Sequence, residues 1–121
     1  MTAPREWTDY LEDIVSAIEK IERFAGGMHF QDFAHDEKTV FAIIRALEII
    51  GEAAKGVPEA MRSGHPDIPW KEMAATRDKL IHAYSGVDLE VVWNTIQQDL
   101  PPLKTGIVKL LAEVSGRPGT M

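Results

Sequence analysis

The octet from residue 77 to residue 84, Arg-Asp-Lys-Leu-Ile-His-Ala-Tyr, brings a fixed cation, a titratable imidazole and a phenol onto about two turns of a predicted helix. Arginine stays charged at any working pH, and its planar guanidinium suits phosphate oxygens. Histidine exchanges a proton near neutral pH. Arg77 and His82 are therefore the minimum equipment for cutting a phosphodiester without a metal ion. Tyr84 adds a nucleophilic hydroxyl that a partner enzyme could modify.

The spacing within the octet limits what one copy of the chain could do. Arg77 and Tyr84 fall on nearly the same helix face, whereas Arg77 and His82 lie about 140° apart around an ideal helix. Either the last turn unwinds near Ser85-Gly86, or two copies of the chain build the site. Cleavage of RNA through the 2'-hydroxyl needs both a base and an acid. A twofold dimer would supply two copies of His82 and two of Arg77 around one cleft.

A purely structural explanation of the octet is also open. A histidine near a helix C-terminus is favoured by the helix dipole. Arg77 could pair with a surface carboxylate, and Tyr84 could be a half-buried packing residue. Taken by itself, the octet is a weak catalytic signal.

The composition indicates one globular domain, and no cofactor is expected. The chain has 121 residues, of which 45% are hydrophobic and 26% are charged. It has no cysteine, which excludes disulfides and thiolate metal sites and suits a reducing cytosol. The N-terminus does not read as a signal peptide, and every apolar run is shorter than the roughly 20 residues of a membrane helix. We therefore expect a soluble, cytoplasmic protein.

The net charge bears on the possible substrates. A formal charge of -6 argues against non-specific binding to nucleic acid, because such binding depends on neutralising many phosphates. A small local basic patch could still serve a site in an acidic protein. The residues that could form this patch lie in the octet or on neighbouring helices: Arg45, Arg62, Lys71, Arg77 and Lys79.

Apolar residues at three- and four-residue spacing predict the helices. Helix one runs from Trp7 to Phe24 and is stopped by Gly26-Gly27, and a polar link over residues 29–36 leads to helix two, from Val40 to Ala54. A turn or single helical turn over residues 58–62 precedes a loop, and Pro69 then marks the start of helix three, which extends at most to Tyr84.

The remaining third of the chain is also predicted to be helical. Asp88 is a suitable N-cap for helix four. Pro101-Pro102 must break or kink that helix, after which the apolar periodicity resumes as far as Val114. No strand pattern of useful length appears. The sequence therefore predicts an all-α, up-and-down bundle of four to five helices.

The octet matches R-x-x-x-x-H-x-Y, and with this signature the chain resembles the HepT-like toxins of the HEPN superfamily. Similarity extends to V-F-A-I-I-R-A-L-E-I-I-G-E-A-A-K from Val40 to Lys55, to Pro69-Trp70 with Met73, and to V-D-L-E-V-V-W-N-T-I-Q-Q-D-L-P-P-L from Val87 to Leu103. It covers roughly residues 8–113. The resemblance implies a single HEPN-like domain over residues 1–114. Residues 115–121 continue no apolar periodicity, and we expect them to form a flexible tail.

This resemblance also implies a function. It suggests a homodimeric, metal-independent endoribonuclease toxin that acts on RNA, with Arg77 binding phosphate and stabilising the transition state and His82 as general acid or base. Tyr84 would be adenylylated by a cognate MntA-like nucleotidyltransferase antitoxin, adding negative charge beside the anion site. Asp78 could orient the imidazole or offset local positive charge, and Lys79 belongs to the same supporting set. The alternative is a non-catalytic nucleotide-binding or interaction module that partners a nucleotidyltransferase.

Two further groups of residues have both a structural and a functional interpretation. Arg45, Glu48 and Glu52 are spaced for ion pairs on one side of helix two, which indicates a solvated face. They would instead line the dimer cleft if Phe41 and Ile49, which flank them, are covered by a second copy. The second group is His29, Asp32, His35 and Asp36. These residue types could suggest a metal site, but their spacing matches no strong metal-ligand pattern. The three tryptophans occupy predicted core positions.

Overall fold

The computed structural model describes residues 6–82 and 88–115, with residues 77–82 and residue 115 described by their backbone alone. All regular structure in these ranges is helical. Four longer helical segments are joined by shorter ones, which confirms the predicted all-α class. The elements are α1 (Trp7–Ala25), α2 (Phe30–Ala34), α3 (Glu37–Gly56), α4 (Glu59–Ser63), α5 (Trp70–His82), α6 (Leu89–Asn94), a π turn (Thr95–Asp99) and α7 (Leu100–Ser115).

Helix α1 begins and ends as its sequence predicts. The backbone N–H of Glu6 donates to Asp9 Oδ2 at 3.0 Å in a capping box, which satisfies one of the donors left open at a helix start. Gly26-Gly27 ends the helix. Gly27 has a φ of 80°, a left-handed conformation that costs glycine little and other residues more.

Helix α3 is the central element, because it packs against both α1 and α5. It starts three residues earlier than predicted, since Asp36 caps it by accepting a hydrogen bond from the Thr39 N–H at 3.1 Å. That bond from the Thr39 backbone holds the pKa of Asp36 below its usual value. The polar link predicted over residues 29–36 was wrong in part, because α2 forms within it.

The C-terminal helical run accommodates two consecutive prolines. Asp88 Oδ1 accepts hydrogen bonds from the N–H groups of Glu90 and Val91, which confirms the predicted N-cap. The interruption predicted at Pro101-Pro102 is a π turn just before them, in which the Leu100 N–H donates to Thr95 O. In a regular α-helix, each backbone N–H donates to the carbonyl four residues earlier, but proline has no N–H. A change of helical pitch just before Pro101 and Pro102 therefore breaks no hydrogen bond of these two residues.

The core lies between α1, α3, α5 and α7, and α1 also packs against α7. Each of its large apolar side chains contributes roughly 1.5–3 kcal/mol by leaving water. Trp70 is buried, and its Nε1 donates to His65 O at 3.0 Å, while Trp7 and Trp93 are half-buried against the core. These contacts confirm that the tryptophans pack. The largest fully buried side chains in the described ranges are Leu11, Ile14, Ile18, Phe33, Ile43, Val57, Ile107 and Leu110.

None of the helices in the described ranges is both long and apolar enough to cross a membrane.

Candidate active site

Helix α5 positions two residues of the motif, Arg77 and His82. The helix is anchored at its N-terminal half, where Trp70 and Met73 are buried and Met73 N–H donates to Pro69 O at 3.0 Å. It runs without interruption from Trp70 to His82. Arg77 therefore lies inside regular helix, and His82 is the last residue of α5 that the structure describes.

The intact helix decides how the two motif residues are placed. Five helical residues separate their backbone positions by about 140° around the axis and about 7.5 Å along it. The helix has not unwound before His82, so one copy of α5 holds the two backbones on different faces. Ser85 and Gly86, where unwinding was the alternative prediction, lie outside the described residues, as does Tyr84.

Asp78 and Lys79 share this stretch of α5. Asp78 is four residues before His82, so the backbone positions of Asp78 and His82 lie on one side of the helix, as predicted from the sequence.

On the neighbouring α3, Arg45 forms the predicted intrahelical ion pairs. Its Nη1 lies 3.4 Å from Glu48 Oε1 and 3.9 Å from Glu52 Oε1. The Arg45 side chain is 61% exposed and that of Glu48 is 18% exposed, so the pairs contribute at most about 1 kcal/mol each. Phe41 is 52% exposed on the same helix, whereas Ile49 is half-buried. In a single chain this stripe faces water, and it leaves a large aromatic ring partly uncovered.

The other basic residues of the predicted patch lie on different helices. Lys71 is exposed in the first turn of α5, six residues and roughly 9 Å of helix rise before Arg77. Arg62 lies in α4 and is half-buried, with an Nε that has no hydrogen-bond partner in the described part of the chain. Arg45 already pairs with two carboxylates. The described side chains of the predicted patch thus come from α3, α4 and α5.

Two histidines and two aspartates around α2 lie at or beside helix ends. His29 and Asp32 form the capping box of α2, in which the His29 N–H donates to Asp32 Oδ2 at 2.9 Å. His35 Nδ1 contacts Gln31 O at 2.8 Å, and Asp36 caps α3. Among the residues that the structure describes, no three His, Cys, Asp or Glu side chains come together as metal ligands do.

Sequence reasoning missed a cleft between α3, α5 and α7, which is lined in part by Gly106. The only signal in the sequence was a glycine inside an otherwise helical pattern.

Over its described residues the chain is a small helical protein in which an arginine and a histidine lie five residues apart on one helix. A family model described as Ribonuclease HepT-like matches residues 14–110. The chain therefore belongs to the HepT-like ribonuclease family, as its sequence motifs indicated.

Named relatives cover almost the whole chain. A protein of Thermococcus cleftensis named "Probable ribonuclease HepT" is 58% identical over 88% of this chain and 96% of its own length. A protein provisionally named as an RNase in Methanocaldococcus jannaschii is 37% identical over 93% of both chains. A protein of Caldanaerobacter subterraneus, also provisionally named as an RNase, is 41% identical over 92% of this chain and 96% of its own length. No solved structure gives a significant match.

Proposed function

We propose that the protein is an endoribonuclease toxin whose active site is built from the α5 helices of two copies of the chain. Membership of the HepT-like family and the ribonuclease names of its relatives support the activity. The observation that carries the two-copy arrangement is the unbroken helix from Trp70 to His82, which keeps the Arg77 and His82 backbones about 140° apart. The dimer and a cytoplasmic location are parts of the same proposal.

In this site the two copies of His82 act as base and acid, and Arg77 stabilises charge. One His82 imidazole removes the proton from a ribose 2'-hydroxyl, and the 2'-oxygen attacks phosphorus. The second His82, protonated, gives its proton to the departing 5'-oxygen, which leaves a 2',3'-cyclic phosphate on one fragment. The Arg77 guanidinium groups stabilise the charge that develops on the phosphoryl oxygens. This sequence of steps needs no metal ion.

Neighbouring charges would adjust this site. Asp78, one helical turn before His82, can orient the imidazole, and Lys79 adds positive charge for RNA. The stripe of Arg45, Glu48 and Glu52 lies on α3, which packs against α5, and would border the cleft between the two copies.

Complementation between two inactive variants tests this arrangement. One chain carries Arg77→Ala and a second, differently tagged chain carries His82→Ala. Each variant alone should lose about 100-fold or more of the RNA cleavage rate. The mixed dimer, purified through both tags, holds one Arg77 and one His82, so it keeps one of the two imidazoles that the mechanism uses. It should cleave faster than the His82→Ala dimer, which has none, and more slowly than the unaltered protein. Gel assays of RNA cleavage with and without a chelator measure both the rate and its independence of metal.

The control is a substitution at another position of α5. Ala75→Gln changes an exposed position on the same helix and should leave cleavage unchanged. A mixed dimer no faster than the His82→Ala dimer would count against a site shared by the two copies. Full cleavage by His82→Ala would remove that residue from the mechanism. If the unmodified protein leaves every tested RNA intact but still binds a nucleotidyltransferase, the non-catalytic module becomes the better explanation.

A further inference from the structure

A cleft of about 430 Å³ lies between α3, α5 and the C-terminal helical run. Its volume is in the range of small-molecule sites, roughly 300–1,000 Å³. The side chains of its floor come from three helices and the loop before α5, and each is at most 5% exposed. The floor consists of Leu47, Ile50, Ile68, Met73, Leu100 and Leu103. This apolar floor favours a ligand with an apolar body.

One wall of the cleft exists because Gly106 has no side chain. Glycine is a poor helix former, yet Gly106 lies in the interior of α7. Its backbone does not require glycine, since Gly27 is the one described residue with a positive φ. An added Cβ would lie 3.4 Å from Ile68 Cγ1, which is an ordinary contact. A longer side chain at this position would occupy the cleft.

The rim of the cleft is acidic. Asp67, Glu72 and Asp99 line its exposed edge, and no lysine or arginine is among its described lining residues. Within the described part of the chain, these three carboxylates make no ion pair. Three charges of one sign beside an apolar wall raise the local concentration of cations and repel anions.

The two threonines at the rim offer no hydrogen to an anion. Thr76 Oγ1 donates to Glu72 O at 2.8 Å, and Thr95 Oγ1 donates to Val91 O at 2.8 Å. Each hydroxyl hydrogen is already used within its own helix, so the hydroxyl oxygens remain as acceptors. Acceptors and carboxylates together favour an ammonium group over a carboxylate or phosphate.

We propose that this cleft is a binding site for a small organic cation that has an apolar body and one ammonium group. The body lies against the floor beside Gly106, and the ammonium lies at the rim among Asp67, Glu72 and Asp99. Thr76 directly precedes Arg77, so an occupant contacts the helix that carries the candidate active site. The site is separate from the proposed ribonuclease function and does not depend on it.

A matched set of small probes tests the charge and the shape of the site. The probes are 4-phenylbutylammonium, 4-phenylbutyrate, 4-phenylbutanol and butylammonium, titrated into the full chain and followed by isothermal calorimetry or NMR shift changes. Phenylbutylammonium should bind about tenfold or more tighter than phenylbutyrate, because the two share the apolar body and differ in charge. Butylammonium should bind weakly, because it lacks the ring.

Two variants locate the binding. Glu72→Gln with Asp99→Asn keeps the shape of the rim and should cut the preference for the cation over the anion about fivefold or more. The control pair, Glu12→Gln with Glu37→Gln, removes the same charge from exposed positions on α1 and α3 and should not change it. Gly106→Leu should abolish binding of every probe. A cooperative thermal unfolding transition would establish that this variant is folded.

Three results would overturn the proposal. Equal affinity for the ammonium and carboxylate probes would show that the rim does not select charge. Binding that survives both Gly106→Leu and the rim variant would place the probe elsewhere. Saturation by phenylbutanol with the same affinity as the cation would indicate a site for neutral apolar compounds.

Discussion

We propose that the activity is controlled through Tyr84, because adenylylation there would add a charged phosphodiester seven residues along the chain from Arg77, the proposed phosphate-binding residue. Co-expression with a neighbouring nucleotidyltransferase should add one or more AMP groups to the chain. Intact-mass spectrometry measures this directly, and the modified chain should cleave RNA more slowly than the unmodified chain.

The chain provides its own control for this prediction. It contains two tyrosines, Tyr10 and Tyr84. Tyr84→Phe should abolish the added mass, whereas Tyr10→Phe should keep it. An unchanged adduct on Tyr84→Phe would assign the modification to another residue, and absence of an adduct on the unaltered chain would contradict the antitoxin mechanism.

At the scale of single residues, the sequence indicated which residue types could do chemistry but not what each one does. His29, Asp32, His35 and Asp36 have side chains that bind metals in other proteins, and here they cap helices and contact backbone groups. The difference arises because a short polar side chain next to a helix start is closer to free N–H groups than to another ligand. Those free groups exist only once α2 has formed.

Among the helical elements, the contact between α1 and α3 depends on a glycine. A Cβ on Gly56, the last residue of α3, would lie 2.7 Å from Cε1 and Cζ of the Tyr10 ring. No real contact is that short, so Gly56→Ala must move the ring or the helix end. We expect it to lower the free energy of unfolding by roughly 1–3 kcal/mol, measured by chemical denaturation.

Gly64 gives a matched comparison for this test. It is the C-cap of α4 with a φ of -75°, and an added Cβ would lie 3.5 Å from Ala60 O. Gly64→Ala should therefore change stability little. Equal stability of the two alanine variants would mean that the Tyr10 ring moves aside without cost and that Gly56 has no special role.

The elements that the sequence predicted well are those with many repeats of the apolar spacing. Helix α1 was predicted to within one residue at its C-terminus, since five of its buried positions follow the helical period. Helix α2 was missed because five residues span little more than one turn, and Phe33 is its single buried residue. A period cannot be read from one apolar position.

On the scale of the whole molecule, the exposed ring of Phe41 is the feature that we expect a second copy to cover. Phe41 is 52% exposed beside the charged stripe of α3. Phe41→Glu should weaken self-association and reduce RNA cleavage together, because the proposed site needs both copies. Analytical ultracentrifugation over a range of concentrations measures the first effect.

Val91 serves as the control for this substitution, since it is 56% exposed on α6. Val91→Glu adds the same charge at an equally exposed apolar position and should leave the oligomer intact. If Phe41→Glu has no more effect on assembly than Val91→Glu, the α3 stripe is a solvated face and the two copies meet elsewhere.

The fold class could be predicted from the sequence because helical periodicity is a property of one chain. The complete site could not, because in the proposed arrangement it is built from two copies of the chain, and helical periodicity does not say how two copies meet. The cleft beside Gly106 was unpredictable for a related reason: its walls come from α3, α5 and α7, which are distant in sequence.

The π turn before the double proline also corrects the direction of the buried face. Val92, Ile96 and Leu100 are buried at two successive four-residue steps, which in a continuous α-helix would rotate the apolar stripe by about 80°. A turn that closes over five residues takes up that rotation. Leu103 and Ile107 then continue the stripe on the same side. A one-residue deletion between Thr95 and Asp99 would restore α-helical pitch and, because it removes one step of about 100°, should leave the buried face of α7 within about 20° of its present direction.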